Sequence, residues 1–475
     1  MRAFVAGSVE ALGSAYPCIV CHGDEGKGGR EGGIQTADIR PATLAAPRPA
    51  SGATTLRAAY TEQALANAIS RGVDASENTL HTLMPRYSLT NGDMQNLLAY
   101  LKRLGSEPVA GVSEDAIRVG ILLPVRGTLA AAAEEIWSLL NAYFAQVNEK
   151  GGIYGRKLRL ETWQYDADRV AASATVLRER AAKAPPFCFL ANLTLNLTSE
   201  PFAFLSADDA ASLAPLALPG PPNAVEKTNV FYVYTGPYHQ ARVLVDYLVD
   251  DAKLGQDPVA LLHADDAHGC AAATGAREQA KLRNLQFAFE SVASSSAAKN
   301  LAATLKQRHI TKVTYFGPQA VLEALTRAAR ELNWPMAVFG SAELLGTGAT
   351  ELPADAVTEL TLVSAVGITD PRDDQLVAFQ TLAESAKLPR APSALQMTAF
   401  AGARLLEETL KQTGRGVTRD SFLRQLKATR GMRTGVSPAL TYGETRRSGS
   451  QSAMILKLDP RTRRLAAVTD FREPK

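Results

Sequence analysis

Two patterns of apolar spacing divide the chain. Beyond residue 116, short apolar runs alternate with stretches of helical period. "IRVGILLPV" is a β-rich run, and from Ile136 the side chains of Leu139, Leu140, Tyr143, Phe144 and Val147 return at intervals of three and four, which predicts a long helix stopping at "KGG". "RKLRLETW" alternates as a strand does, "DRVAASATVLRERAAK" has helical period and "PPFCFLAN" is a buried strand. The order continues with "DPVALLHAD", "ITKVTYFG" and "WPMAVFGS". Strands alternating with helices predict parallel sheets covered on both faces. Roughly 360 residues of this alternation exceed one open sheet, so two doubly wound lobes are expected, with a ligand cleft at the strand C-termini.

The first 105 residues read differently. Their clear periodic segment lies in "TLMPRYSLTNGDMQNLLAYLKRL", where Met94, Leu97, Leu98, Leu101 and Leu104 share one helical face. Thr90, followed three residues on by Asp93, gives that helix an N-cap signature. Met84 stands before Pro85, which keeps this segment out of a helix. "GSEPVAGVSEDA" has no periodicity and reads as a linker over 106–115.

Composition narrows the function classes. The 475 residues are 46% hydrophobic and 21% charged, ordinary globular material with several cores. A net charge of +3 gives no polyanion-binding face, so nucleic acid is not an expected partner. There is no run of 18 apolar residues, hence no expected membrane span, and the segment before Cys18 lacks the continuous apolar stretch of an export signal.

Of the four cysteines, Cys18 and Cys21 form a motif with His22 in "AYPCIVCHGDEGKG", while Cys188 and Cys270 are singletons. A structural zinc site wants a second close pair. A thioredoxin-like pair follows a strand and opens a helix, and here loop-like "HGDEGKGGREGG" follows. Covalent haem attachment suits the spacing: each thiol adds to one vinyl group and the adjacent histidine is held beneath the iron. Met84 then becomes the candidate sixth ligand, with His81 as a competitor; Met94 sits in the helical stripe and reads as core.

On "CIVCHG", the glycine-rich loop after it, "LMPRY" and the amphipathic closing helix, residues 10–105 resemble a class I cytochrome c domain, with "VEALGSAY" standing where the family has its N-terminal helix. On "IRVGILLPV", "VNEKGGIYGRKLRLETWQYDAD", "TGPYHQARVLVDYLVD" and "GVSPALTYGETRRSGSQSAMILKLD", the remainder resembles the type I periplasmic solute-binding proteins of the branched-chain amino acid and amide class. The resemblances imply a multidomain chain: a small all-α cytochrome c domain over 1–105 with one covalent haem c, then an α/β two-lobed periplasmic-binding-protein type I fold over 116–475. Lobe 1 is expected at about 116–236 and 366–440, and lobe 2 at about 237–365 and 441–475.

The family's cleft-facing loops fall here on Arg126, Thr128, Asn192, Thr194, Tyr238, His239, His268, Ser341 and Glu343. A helix N-terminus with hydroxyls such as Thr194 suits a carboxylate. Arg126 suits a carboxylate bidentately, and a solvated loop arginine is the competing reading. Glu343 is the acid that would receive an ammonium group. "GDEGKGG" lacks the preceding strand of a phosphate loop, and His263 with His268 reads as a polar strand-end loop rather than a metal cluster. The glycosylation-type tripeptides at Asn192 and Asn196 carry no weight.

Two functions remain in view, neither of them enzymatic. One is an exported electron carrier with a solute-binding module, which by resemblance looks like an accessory of quinoprotein dehydrogenase systems. The other is the substrate-binding component of an uptake transporter, delivering amino acids, amides or small carboxylates to a permease. Both place the protein in the periplasm.

Overall fold

A computed structural model describes residues 2–5, 9–23, 26–31, 34–49, 56–105, 108–194, 202, 204–205, 210–255, 257–366, 376–389 and 393–475. The chain forms two compact units, Met1–Pro108 and Val109–Lys475.

In the first unit, the attachment motif is itself a short helix, Cys18–His22, entered from extended Pro17. Two longer helices follow. Glu62–Ser70 is capped by Thr61, and Asn91–Arg103 is capped by the Thr90 hydroxyl, which accepts from the Asp93 amide at 3.2 Å. The segment read as the remnant of an N-terminal helix is a strand, Val9–Leu12, followed by a single 3-10 turn, Gly13–Ala15. It pairs with Arg2–Val5, which pairs in turn with Arg86–Ser88, so a three-stranded antiparallel sheet joins the helices. The core is small: Ala3, Ile69, Tyr87, Leu98, Leu101 and Leu104, with Met94 and Leu97 partly buried against it.

The second unit holds two sheets. The first runs Val230–Phe231, Ser212–Leu213, Cys188–Leu190, Ala116–Pro124, Lys157–Tyr165, all parallel. The helix that begins the apolar period spans Ala130–Glu149 and packs with Ala394–Thr413, whose start carries a full Ser393/Gln396 capping box. The second sheet runs Phe287–Val292, Val259–His263, Lys312–Phe316, Met336–Ser341, Val357–Ser364, Met454–Leu458, Leu465–Ala467, with the last two strands antiparallel. Strand C-termini of both sheets lead into the loops that carry the expected cleft residues, as the parallel topology requires.

The chain passes between lobes after Phe231, after Ser364 and before Met454. The first and third passages pair: the Tyr232 amide donates to Arg447 O and the Gly449 amide to Tyr232 O, each at 2.8 Å. Arg447 secures this junction, donating to Thr228 O at 2.6 Å and Gly443 O at 2.7 Å while its guanidinium lies over the Phe231 ring. No helix among the described residues is long and apolar enough to cross a membrane.

Candidate haem centre and solute cleft

The Cys-x-x-Cys spacing on one helical turn puts both thiols on one side of the Cys18–His22 helix, free and exposed. His22 closes that helix. Its Nδ1 donates to Ala37 O at 2.8 Å, which fixes the tautomer and leaves Nε2 with its lone pair for a metal. The loop that supplies this acceptor is folded back by the Thr36 hydroxyl, which donates to Cys21 O and accepts from the Gly29 amide, both at 2.7 Å. Gly28 permits the return: its φ is +72°, and a Cβ there would strike the Thr36 and Ala37 backbone.

Met84 sits half-buried in a turn closed by its own amide on His81 O at 3.0 Å, and buried Pro85 follows. The adjoining strand carries Tyr87, whose hydroxyl donates to Tyr16 O at 2.6 Å across 71 residues of sequence. That bond fastens the methionine segment beside the attachment segment. Burial, and then Cys18 and Cys21 beside it, push the Tyr87 phenol well above its ordinary value. His81 is exposed, its Nδ1 accepting from the Leu83 amide at 3.2 Å, and Met94 packs against the small core.

Leu12, Val20 and Leu83 are 73%, 62% and 55% exposed, and Tyr16 and Ile19 also stand open. These apolar side chains flank the attachment helix and the methionine loop. A large flat apolar group bonded at Cys18 and Cys21 would remove them from water, so the residues present fit haem c.

In the second unit, Arg126 and Thr128 are exposed on the loop after the first strand. Asn192 is buried: its Oδ1 accepts from the Leu122 amide at 2.9 Å and its Nδ2 donates to Ser212 Oγ at 3.2 Å, which ties neighbouring strands together. Thr194 is half-buried at the edge of the described residues; the Asn196 tripeptide lies outside them. The Tyr238 hydroxyl donates to Glu278, and its ring lines a cavity of about 510 Å³ with Pro221, Asn223, Cys270 and Thr274. Burial, then Arg242 and Arg446, push His239 down to about 4, so it is neutral near pH 7.

Two candidate residues meet where the lobes join. Ser341 is fully buried and donates to Gln240 Oε1 at 2.6 Å. The Glu343 carboxylate accepts from Ser364 Oγ at 2.7 Å, the Ala365 amide at 2.9 Å and the Val366 amide at 3.3 Å. Burial raises the Glu343 pKa against these bonds. His268 reaches between lobes instead, donating from Nε2 to Leu218 O at 3.4 Å. Gln240, Ser364 and the buried Thr235, whose Oγ1 has no partner among the described residues, complete this polar floor. Sequence reasoning passed over them. Ser364 carried a signal, a polar residue ending the apolar run "LTLVS". Among the described residues no three histidines, cysteines or carboxylates cluster for a metal ion, and His263 is buried against Ala264 O.

The periplasmic binding protein family matches residues 116–463. The chain belongs to that family. Residues 12–105 match cytochrome c, so this periplasmic binding protein carries a cytochrome c domain at its front. No curated protein matches the chain. Solved structures similar to it include a fatty acid ABC transporter substrate-binding protein from Thermomonospora curvata, 17% identical with a TM-score of 0.59, covering 77% of this chain and 95% of that one. A branched-chain amino acid ABC transporter protein from Thermus thermophilus with bound valine is 15% identical with a TM-score of 0.57, covering 76% and 97%. A substrate-binding protein from Desulfitobacterium hafniense in complex with Leu is 15% identical with a TM-score of 0.58, covering 74% and 100%. At these identities the likeness concerns the fold.

Proposed function

We propose that this periplasmic binding protein is an exported haem c protein that joins electron transfer to the binding of a small polar solute, as an accessory of a quinoprotein dehydrogenase. The observation that supports the reading is the Tyr87 hydroxyl's bond to Tyr16 O at 2.6 Å, which ties the strand after Met84 to the segment before Cys18, where large apolar side chains stand open. In this reading Cys18 and Cys21 would attach one haem c, and His22 and Met84 would hold its iron. Haem c held by these four residues would supply one-electron exchange, the chemistry of a carrier. The chain's own part is to orient His22 through Ala37 and to keep the Met84 segment in place.

The solute would enter between the lobes, with Arg126 and Thr128 on one rim, Thr194 beside them, His268 and Tyr238 on the other, and Ser341 and Glu343 in the polar floor. Amino acids, amides and small carboxylates suit this set. The periplasm is the location that both modules share. The fold of the larger unit favours a second reading, in which the protein delivers its solute to an ABC permease and the haem domain is structural or redox-sensing.

The test has two arms on the purified holoprotein. Reduced periplasmic quinoprotein dehydrogenase should reduce the haem faster than its soluble dye acceptor is reduced. A thermal-shift screen of amino acids, amides and carboxylates should find a solute that raises the melting temperature of the larger unit. Haem that the dehydrogenase leaves oxidised, together with a tight amino acid ligand, would replace the first reading by the second.

A further inference from the structure

We propose that Arg86 is the positioning residue of the Met84 loop, a backbone clamp that sets where the thioether stands without itself touching the iron. The inference rests on Met84 being the sixth ligand. From the strand Arg86–Ser88, the guanidinium reaches back over the turn that precedes it: Nη1 donates to Met84 O, and Nη2 donates to Leu80 O at 3.1 Å. One planar fork thus holds both ends of residues 80–84.

Three independent features serve the same clamp. The root of Arg86 is fixed, because its backbone lies in the antiparallel ladder opposite Phe4. Its head has a dedicated berth, because Gly72 has a φ of +72° and a Cβ there would collide with the guanidinium. The far end of the loop is anchored to the same glycine, since the Leu80 amide donates to Gly72 O at 2.8 Å. Among the described residues no carboxylate pairs with Arg86; the cation is held by carbonyls. Burying an unpaired guanidinium costs free energy unless its donors are satisfied, and here the satisfied donors are those that hold the loop. A surface arginine of general solubility would need neither the glycine berth nor the two carbonyls.

The full-chain holoprotein provides the test, with wild type, Met84→Ala, Arg86→Leu, Arg86→Lys and Gly72→Ala. The readouts are the ferric methionine charge-transfer band and the rate of carbon monoxide binding to the reduced protein. Met84→Ala should abolish the band with haem still attached; a band that persists there defeats the ligand assignment itself. Arg86→Leu should weaken or abolish the band and speed carbon monoxide binding by at least about tenfold, the equivalent of losing one charge-assisted hydrogen bond. Gly72→Ala, which leaves Arg86 in the chain but fills its berth, should move both readouts the same way. Arg86→Lys keeps the charge but not the fork and should fall between wild type and Arg86→Leu; it and Gly72→Ala decide the matter if Arg86→Leu fails to accumulate. If Met84→Ala loses the band while the Arg86 and Gly72 variants keep wild-type band and rate, the clamp is wrong and the ligand assignment stands.

Discussion

In the solute-binding unit Ile121, Ile136, Leu139 and Leu405 are wholly excluded from water, and each sheet is covered on both faces by its own helices. In the cytochrome c unit Leu12, Val20 and Leu83 lie open around a core of a few side chains. One unit closes its core with what the chain supplies. The other has a small core and leaves large apolar side chains open, and a domain of about this size has little stability to lose. On the proposed reading, haem c attached at Cys18 and Cys21 would supply the apolar surface that this small core does not.

The sharpest way to break the comparison is to remove the attachment. Changing both Cys18 and Cys21 to Ser should leave the protein without bound haem and eliminate the cooperative melting transition of the first unit. The transition of the larger unit, which has its own core, should move by no more than about 2 °C. Differential scanning calorimetry checks both, and a first unit that still melts cooperatively without haem would mean that its core is self-sufficient.

A smaller effect tests the larger unit at a residue whose role was read differently. Asn192 ends the strand-like run "PFCFLAN", where the family's loop faces the cleft, and was expected to touch solute. In the fold both ends of its amide are engaged within lobe 1. Asn192→Leu should therefore destabilise that unit by about 1–3 kcal/mol, because the Leu122 amide is left buried without an acceptor. Solute affinity measured by calorimetry should change little. A large loss of affinity with unchanged stability would return Asn192 to the binding set.

The same residues show what was legible beforehand. Long periodic elements were, because burial of one face writes itself into spacing: the helix Ala130–Glu149 and the Thr90-capped helix Asn91–Arg103 both stand where the apolar period put them. The haem motif was legible because its chemistry demands contiguous residues. The strand Val9–Leu12 was not, since four residues carry too short a pattern to separate period 2 from period 3.6. The cleft was legible only as loops. Which polar side chain at a strand end turns to solute and which ties the sheet, as Asn192 does, depends on partners far along the chain in no periodic relation.

Acid should probe the first unit more gently. Burial raises the Asp38 pKa, but the side-chain and backbone bonds from Arg40, with Thr43 beyond them, win and hold it at about 2. The folded value thus lies below the unfolded one, so Asp38 contributes stability above about pH 4 that is lost as the pH falls toward 2. Comparing wild type with Asp38→Asn by denaturant melts at pH 5 and pH 2.5, the difference between them should shrink at the lower pH. A constant difference would mean that the Arg40 contact contributes nothing through charge.

The smallest expected effect concerns coupling between the two functions. Each unit has its own core, and a solute shifts haem chemistry only if the states of the cleft interact differently with the haem domain; equal interaction gives no shift however tight the binding. Saturating the cleft should therefore move the haem midpoint potential by less than about 30 mV, under roughly 0.7 kcal/mol for a one-electron couple. Redox titration with and without the solute found in the thermal-shift screen measures this directly. A larger shift would make the solute a regulator of the electron carrier, since linkage then requires haem oxidation state to change solute affinity by the same free energy. That reciprocal change offers a second, independent measurement of the same coupling, by calorimetric solute titration of the ferric and ferrous proteins.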